Sequence, residues 1–310
     1  MRIAVMGAGA VGCYFGAFLQ RAGYQVSFVG RGAHLSAMRE RGLTLTGPRG
    51  DIALEPVEAS DDPRAVAPAD IVLLAVKLYD AEAAAEALRP MLKPEGICIS
   101  LLNGVDGPER IAPILGPARV MGGAAFVSAV IAEPGVVRYT SAMSSIEFGP
   151  YQGAPSPLAE AFVEAATKSG FAARLGDMRG LLWHKFVGLA TNAALTSIIR
   201  LPAGHLYSDA DIRSVSQGMM REVMAVAAAA GVSLPDDVFD VHVKRLDSFP
   251  PSMYASMYFD LAKGRRIEAE HLSGYVVRKG RELGVPTPLH GFAYACLKPY
   301  LQGMPKEIAS

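Results

Sequence analysis

The sequence predicts an α/β protein in two parts: an N-terminal doubly wound sheet domain over residues 1–176 and a C-terminal all-α domain over residues 177–310. Three observations predict it. The chain has 310 residues, beyond the roughly 250–300 at which one hydrophobic core stops growing. Short apolar runs alternate with helical stretches from residue 2 to about residue 128, and strand signals end after Gly176-Asp177. A glycine-rich turn, Gly7-Ala8-Gly9-Ala10-Val11-Gly12, sits between the first predicted strand and the first predicted helix.

Taken in order, Arg2–Met6, Gln25–Val29, Ile71–Val76 and Ile97–Leu101 read as strands, and Val11–Ala22 and Ala81–Leu92 as helices. The strands are continuous apolar runs rather than strict alternations, as a parallel sheet covered on both faces requires. Phe126–Val130, Val136–Tyr139, Ser145–Phe148 and Phe171–Leu175 are strand-like around Pro134-Gly135 and Gly149-Pro150 turns, with one helix over Pro157–Ser169. This portion is expected to complete the sheet. Beyond residue 176, segments 179–200, 208–230, 236–247, 253–263, 267–283 and 290–301 read as helices punctuated by Pro202, Gly231, Pro235, Pro250-Pro251, Gly264, Pro286 and Pro288.

Composition excludes several classes of function. Thirty Lys+Arg balance thirty Asp+Glu, and the longest basic run is the Arg265-Arg266 pair, so neither nucleic-acid binding nor a polybasic membrane anchor is indicated. With 51% hydrophobic and 19% charged residues the chain must bury a sizeable core. Leu181–Ile199 approaches the length of a membrane span, yet it carries His184, Lys185 and Asn192 and reads as a buried helix. Cys13, Cys98 and Cys296 have no CxxC spacing, and the N-terminus has no signal-peptide pattern, so the expectation is a cytoplasmic protein with free thiols. No metal is expected, because no histidine pairs with another His or Cys at ligand spacing.

The glycine turn carries the first functional reading. In a strand–turn–helix context the first glycine permits the tight turn, the second lets the backbone approach a pyrophosphate, and the third lets the helix pack on the strand. The phosphate then lies at the helix N-terminus. The N-terminal domain is therefore a dinucleotide-binding Rossmann-type domain, with Gly7, Ala8, Gly9, Ala10, Val11 and Gly12 as cofactor-binding residues. Cofactor choice is read at the end of the second strand, where an acidic residue would bond the ribose 2′-hydroxyl of NAD. Here the strand ends in Gly30-Arg31 with no acidic residue nearby in the sequence. A guanidinium can bind a 2′-phosphate bidentately, so NADP(H) is expected over NAD(H). Lys77, after the strand Ile71–Val76, is a second candidate phosphate neighbour.

The helix at 181–199 is apolar nearly all round, and Lys185 is its single formally charged residue. At 100° per residue Lys185 shares a stripe with Leu181, Leu189, Asn192 and Thr196, which sets its ammonium on a buried or half-buried face. Desolvation penalises the charged form and makes such a lysine a better proton donor near neutral pH. Hydride reduction of a ketone leaves an alkoxide that needs a proton, and Lys185 is the candidate to supply it. A nearby carboxylate would orient the ammonium; Glu268 and Glu270 are both candidates, and the residue pattern leaves the choice open.

Taken together, the glycine turn, Lys77, Asn103-Gly104 after the Ile97-Leu102 run, Trp183-His184-Lys185, Ser256-Met257 and Arg266-Ile267-Glu268 resemble the ketopantoate reductase family in order and spacing, over nearly the whole chain. The resemblance implies NADPH-dependent reduction of a 2-oxo acid, in the family 2-dehydropantoate to pantoate for coenzyme A synthesis, with a helical domain closing over the cofactor domain. It implies Lys185 as proton donor, Asn103 as a contact of both nicotinamide and substrate, Ser256 as a substrate contact, and Val127 as a cofactor contact through its backbone. It also favours Glu268 over Glu270 as the cofactor-side carboxylate.

This chain departs from the family pattern at several amides. Leu189 and Ala193 stand four and eight residues after the lysine, where asparagines are expected, and Met253 and Ala203 replace two more. A pocket that trades amides for apolar groups loses hydrogen-bond discrimination, so a different 2-oxo acid is the alternative substrate. A non-catalytic nucleotide sensor is a third class, against which the joint presence of Asn103, Lys185, Ser256 and Glu268 argues. Met219, Met220, Tyr254, Met257 and Tyr258 are candidates for a homodimer face or, as is commoner for such residues at helical spacing, for core.

Overall fold

The middle strands of this fold carry apolar runs on both faces, such as Ile3–Val5 and Ile71–Leu74, because each face of the sheet is covered. In the computed structural model, which describes residues 1–142 and 144–305, β1 (Arg2–Met6) sends Ile3 and Val5 into one core and Ala4 into another. The chain continues through α1 (Ala10–Arg21), β2 (Gln25–Val29), α2 (Gly32–Arg41), β3 (Leu43–Thr46), β4 (Ile52–Leu54), β5 (Glu58–Ser60) and β6 (Ala69–Leu74). It then forms α3 (Ala81–Leu88), β7 (Leu92–Ser100), α4 (Gly107–Leu115), β8 (Val120–Phe126), β9 (Ala129–Glu133), β10 (Val136–Tyr139), β11 (Ser145–Pro150), α5 (Pro157–Ser169) and β12 (Ala172–Leu175). The same alternation recurs on β6, where Ile71 and Leu73 face one way and Val72 and Leu74 the other. Side chains of period two, apolar on both faces, are what erased the alternation from the sequence.

The main sheet runs β12-β11-β8-β7-β6-β1-β2-β5. Its pairs are parallel except β11 against β8. The expectation that residues 124–176 complete this sheet holds for β11 and β12 and fails for β9 and β10. Those two join β3 and β4 in a second sheet of order β4-β3-β10-β9. The reason lies in α1: Tyr139 of β10 is 1% exposed and its ring lies 5.1 Å from Tyr14 and 6.1 Å from Phe18. The aromatic stripe of α1 thus needs its own cover. The strand predicted at Phe126–Val130 is in fact the junction between β8 and β9.

Contacts divide the chain into two units, Met1–Leu181 and Leu182–Ser310. The helix α6 (Met178–Ile199) runs across that division. The second unit contains α7 (Ala203–Ser208), α8 (Ala210–Ala229), α9 (Val238–Ser248), α10 (Ser256–Ala262), a 3-10 turn at Glu268–Glu270, α11 (Ser273–Leu283) and α12 (Pro288–Leu297). The single helix expected over 208–230 begins instead at Ala210, because the Asp209 carboxylate accepts from the backbone N–H groups of Asp211 and Ile212 at 3.0 and 2.9 Å and caps α8. The helix expected over 267–283 likewise starts only at Ser273. At α12 the Glu222 carboxylate accepts from the N–H groups of Leu289 and His290 at 2.8 and 2.9 Å, which fixes that helix start from a distant residue. Met219, Met220 and Met257 are at most 2% exposed and belong to the unit's own core, which removes them from any dimer face. Tyr254 and Tyr258 are half-buried and stack on each other at 4.0 Å. Among the described residues no helix is long and apolar enough to cross a membrane, and no group of three or more His, Cys, Asp or Glu is placed to hold a metal.

Candidate active site

In the first unit the glycine turn links β1 to α1. Gly7 has φ +106°, a left-handed conformation that side chains resist, and a Cβ there would fall 2.7 Å from the carbonyl carbon of Ala75. At Gly12 a Cβ would meet Val5 Cγ1 at 2.7 Å, so this glycine lets α1 lie against β1. Gly9 is different: a Cβ there would meet nothing within 4 Å, and its φ of −88° suits any residue. Among the described residues no protein contact explains Gly9, whereas close approach of a ligand would. The first-turn N–H groups of Ala10, Val11 and Gly12 have no acceptor inside an α-helix and carry the positive end of its dipole. Residues 7–12 therefore fit a dinucleotide pyrophosphate.

The other candidate cofactor residues of this unit lie beyond the carboxyl ends of neighbouring parallel strands. Val127 follows β8, Asn103 follows β7, Lys77 follows β6, the glycine turn follows β1, and Arg31 follows β2, in the order of the sheet itself. Because these strands are mutually parallel, the five segments share one edge, spanning four strand spacings or about 19 Å. That edge is where ligands of open doubly wound sheets bind. Hydrogen bonds stitch it together: Gly7 and Ala8 donate to the Val29 carbonyl at 2.9 and 2.8 Å, Ala75 to Met6 at 2.8 Å, and Leu101 to Leu74 at 2.8 Å. Lys77, Asn103 and Val127 are half-buried.

Arg31 stands at the start of α2, not in a plain loop, with its side chain 85% exposed. The sequence around it offers no acid, but the fold brings one: its Nη2 donates to the Asp80 carboxylate at 3.1 Å. Asp80 arrives from the 3-10 turn after β6, two strands along the same edge, with β1 between. Sequence reading missed it because its position depends on strand order.

In the second unit Lys185 is half-buried on α6, flanked on its stripe by half-buried Leu181 and Leu189 and by buried Asn192 and Thr196. Burial lowers its pKa from 10.5 to about 8; the Glu268 carboxylate opposes that shift and the Arg245 guanidinium adds to it. Glu268 is 3% exposed in its 3-10 turn. Glu270 is engaged elsewhere, accepting from Arg278 and from the Tyr294 hydroxyl. Of the two candidates left open by the residue pattern, Glu268 is the one whose charge is felt at Lys185, whereas Glu270 braces α11 against α12.

The opposite side of α6 is fixed by Trp183, whose ring lies 5.7 Å from Phe186 and 6.0 Å from Tyr275. His242 of α9 is 1% exposed and donates from Nε2 to the His184 carbonyl at 2.7 Å. Burial lowers its pKa to about 4, so it is neutral. Neither His242 nor Arg245 carried a sequence signal, since both sit in an ordinary amphipathic helix. Asn192 accepts from the Tyr207 hydroxyl at 2.8 Å and so ties α7 to α6. Ser256 is exposed as the first residue of α10. Just before it, the Met253 carbonyl accepts from Ala203 N–H at 2.8 Å, which brings two of the apolar departures together.

Residues 3–153 match the model of the family "Ketopantoate reductase PanE/ApbA", and residues 177–301 match the model of its C-terminal part. A 2-dehydropantoate 2-reductase of Archaeoglobus fulgidus is 31% identical over 287 residues, 92% of each chain. The crystal structure of a PanE/ApbA family ketopantoate reductase from Ralstonia eutropha JMP134 is 35% identical with a TM-score of 0.89, covering 97% of this chain and 98% of that one. A D-mandelate dehydrogenase structure superposes with a TM-score of 0.90 at 23% identity over 97% of this chain and 98% of that one, a likeness of fold alone. A doubly wound sheet, a glycine turn at its carboxyl edge and a following helical unit define a dinucleotide-binding oxidoreductase. The chain belongs to the ketopantoate reductase PanE/ApbA family.

Proposed function

We propose that the protein reduces a 2-oxo acid with NADPH, with 2-dehydropantoate as the substrate its family points to. The observation that carries this reading is Lys185, a half-buried lysine lowered to about 8 with Glu268 as its carboxylate neighbour. NADPH, when bound, supplies the hydride. Residues 7–12 hold the pyrophosphate through the free N–H groups of the first turn of α1. Arg31 takes the 2′-phosphate: its exposed pair with Asp80 is worth at most about 1 kcal/mol, so a dianionic phosphate displaces that carboxylate at small cost. Lys77 and the backbone at Val127 are assigned to the same cofactor, and Asn103 to cofactor and substrate. Lys185 donates its Nζ proton to the carbonyl oxygen as charge develops there, while Glu268 orients the ammonium. Ser256 contributes a hydroxyl to the substrate.

A second reading keeps this chemistry and changes the acid. It is favoured by Leu189, which lies on the Lys185 stripe, and by Met253 and Ala203, which meet each other near Ser256. The experiment that tests both is a panel of 2-oxo acids assayed for NADPH oxidation with purified protein. Clear preference for 2-dehydropantoate supports the first reading and excludes the second; preference for a more apolar acid does the reverse. Absence of turnover on every 2-oxo acid overturns both.

A further inference from the structure

The helix α9 packs on α6 through His242. Its Nε2 lies 2.7 Å from the His184 carbonyl, its ring centroid 5.1 Å from that of His184, and its Nδ1 2.6 Å from where a Cβ on Gly188 would stand. The contact therefore covers the turn of α6 from His184 to Gly188, which is the turn that carries Lys185. Arg245 follows His242 by three residues and lies on the same side of α9. It is exposed, and among the described residues its guanidinium forms no ion pair. Asp247, the nearest carboxylate on α9, is occupied by Arg213 through two bonds of 2.7 and 3.0 Å.

The charge balance around this turn is consequently uneven. Lys185 and Arg245 are cations, His242 and its neighbour His184 are imidazoles, and among the described residues Glu268 is the carboxylate whose charge is felt at Lys185. Arg245 is close enough for its charge to be felt at both Lys185 and His242. Two cations carried on packed helices repel unless an anion joins them. A 2-oxo acid makes two separate demands: a proton for its carbonyl oxygen, which Lys185 meets, and a counter-charge for its carboxylate. A guanidinium fork matches a carboxylate in two parallel hydrogen bonds, which an ammonium cannot do.

We infer that Arg245 binds the carboxylate of the 2-oxo acid substrate and so sets the specificity for acids over neutral ketones. The inference rests on the reductase reading above. It is tested with Arg245→Ala and Arg245→Lys at saturating NADPH, on the acid turned over best in the panel and on the methyl ester of that acid. Arg245→Ala should raise KM for the acid on the order of 10- to 100-fold, as loss of a hydrogen bond to a charged group does. It should leave the ester unchanged, and Arg245→Lys should recover part of the loss. Removing the neighbouring cation should also move the alkaline limb of the kcat/KM profile to higher pH, a readout that a packing defect would not produce. An unchanged KM for the acid in Arg245→Ala overturns the inference, as does equal loss on acid and ester or an alkaline limb that stays in place. Failure of the wild type on every 2-oxo acid overturns the reductase reading instead, and this inference with it; turnover by the wild type with an unaffected Arg245→Ala sinks the inference alone.

Discussion

Lys185 shows how a single residue can be legible in sequence while its neighbours are not. One charge in an apolar helix violates the pattern of that helix, and the violation marks it. Arg245 and His242 obey the pattern of theirs, so only the packing of α9 on α6 reveals them. The consequence for Lys185 is a pH dependence whose sign is fixed. The proposed reduction needs the ammonium, and with a pKa of about 8 the protonated form dominates below that pH and is lost above it. The kcat/KM for reduction should therefore be flat below about pH 8 and fall tenfold per unit above it, while the reverse oxidation should rise through the same region. Lys185→Ala should lose about 10²- to 10⁴-fold in kcat, the usual weight of a general acid; turnover near wild type in that variant would remove the proton-donor role. Arg31 supplies a second test at this scale. Replacing Arg31 by Ala should raise KM for NADPH by roughly 10- to 100-fold, the cost of a charge-assisted bond, and leave NADH nearly unaffected. Equal weakening of both cofactors, measured by titration, would contradict its 2′-phosphate role.

At the scale of the element, the glycine turn is where sequence and structure agree most closely, because its constraints are local. A strand, a three-residue turn and a helix fix the geometry without reference to the remainder of the chain. The second sheet was not legible for the opposite reason. Its strands β3 and β4 have four and three residues, too short for a periodic signal, and β10 is recruited by aromatic side chains of α1 rather than by the main sheet. The same contrast between local and tertiary causes separates two glycines that look alike in the motif. Gly12 is packed against Val5 and Gly9 faces open space. Gly12→Val should thus destabilise the fold, at the upper end of the roughly 1–3 kcal/mol cost of overpacking, with cofactor affinity lost as a consequence. Gly9→Ala should keep stability within about 1 kcal/mol, the scale of a helix N-cap change, yet bind NADPH at least tenfold more weakly. Thermal melts paired with NADPH titrations separate the two, and wild-type affinity in Gly9→Ala would mean that no ligand approaches that position.

For the whole molecule, what sequence could read was the end of the strand signals at residue 176, while the contacts divide the chain after Leu181, inside α6. The difference is small because a helix that runs across a division has no internal mark of it. Net charge is the other property of the whole chain, and it is zero. Thirty cations balanced by thirty anions give no overall field to draw in an anionic cofactor, and at the edge of the main sheet Arg31, the cation proposed for the 2′-phosphate, is itself matched by Asp80. On the proposed reading, affinity for NADPH must then come from placed groups acting after encounter: the first-turn N–H groups of α1, Arg31 and Lys77. Electrostatic steering by a charged cleft changes association rates by about 10- to 10³-fold and is screened by salt. Without it, the association rate of NADPH should change by less than about twofold when salt is raised severalfold, and Arg31→Ala should speed dissociation rather than slow association. Stopped-flow mixing that follows NADPH fluorescence measures both rates. A tenfold fall in the association rate with salt, or an effect of Arg31→Ala confined to association, would show that a local field at the sheet edge does the steering that the net charge does not.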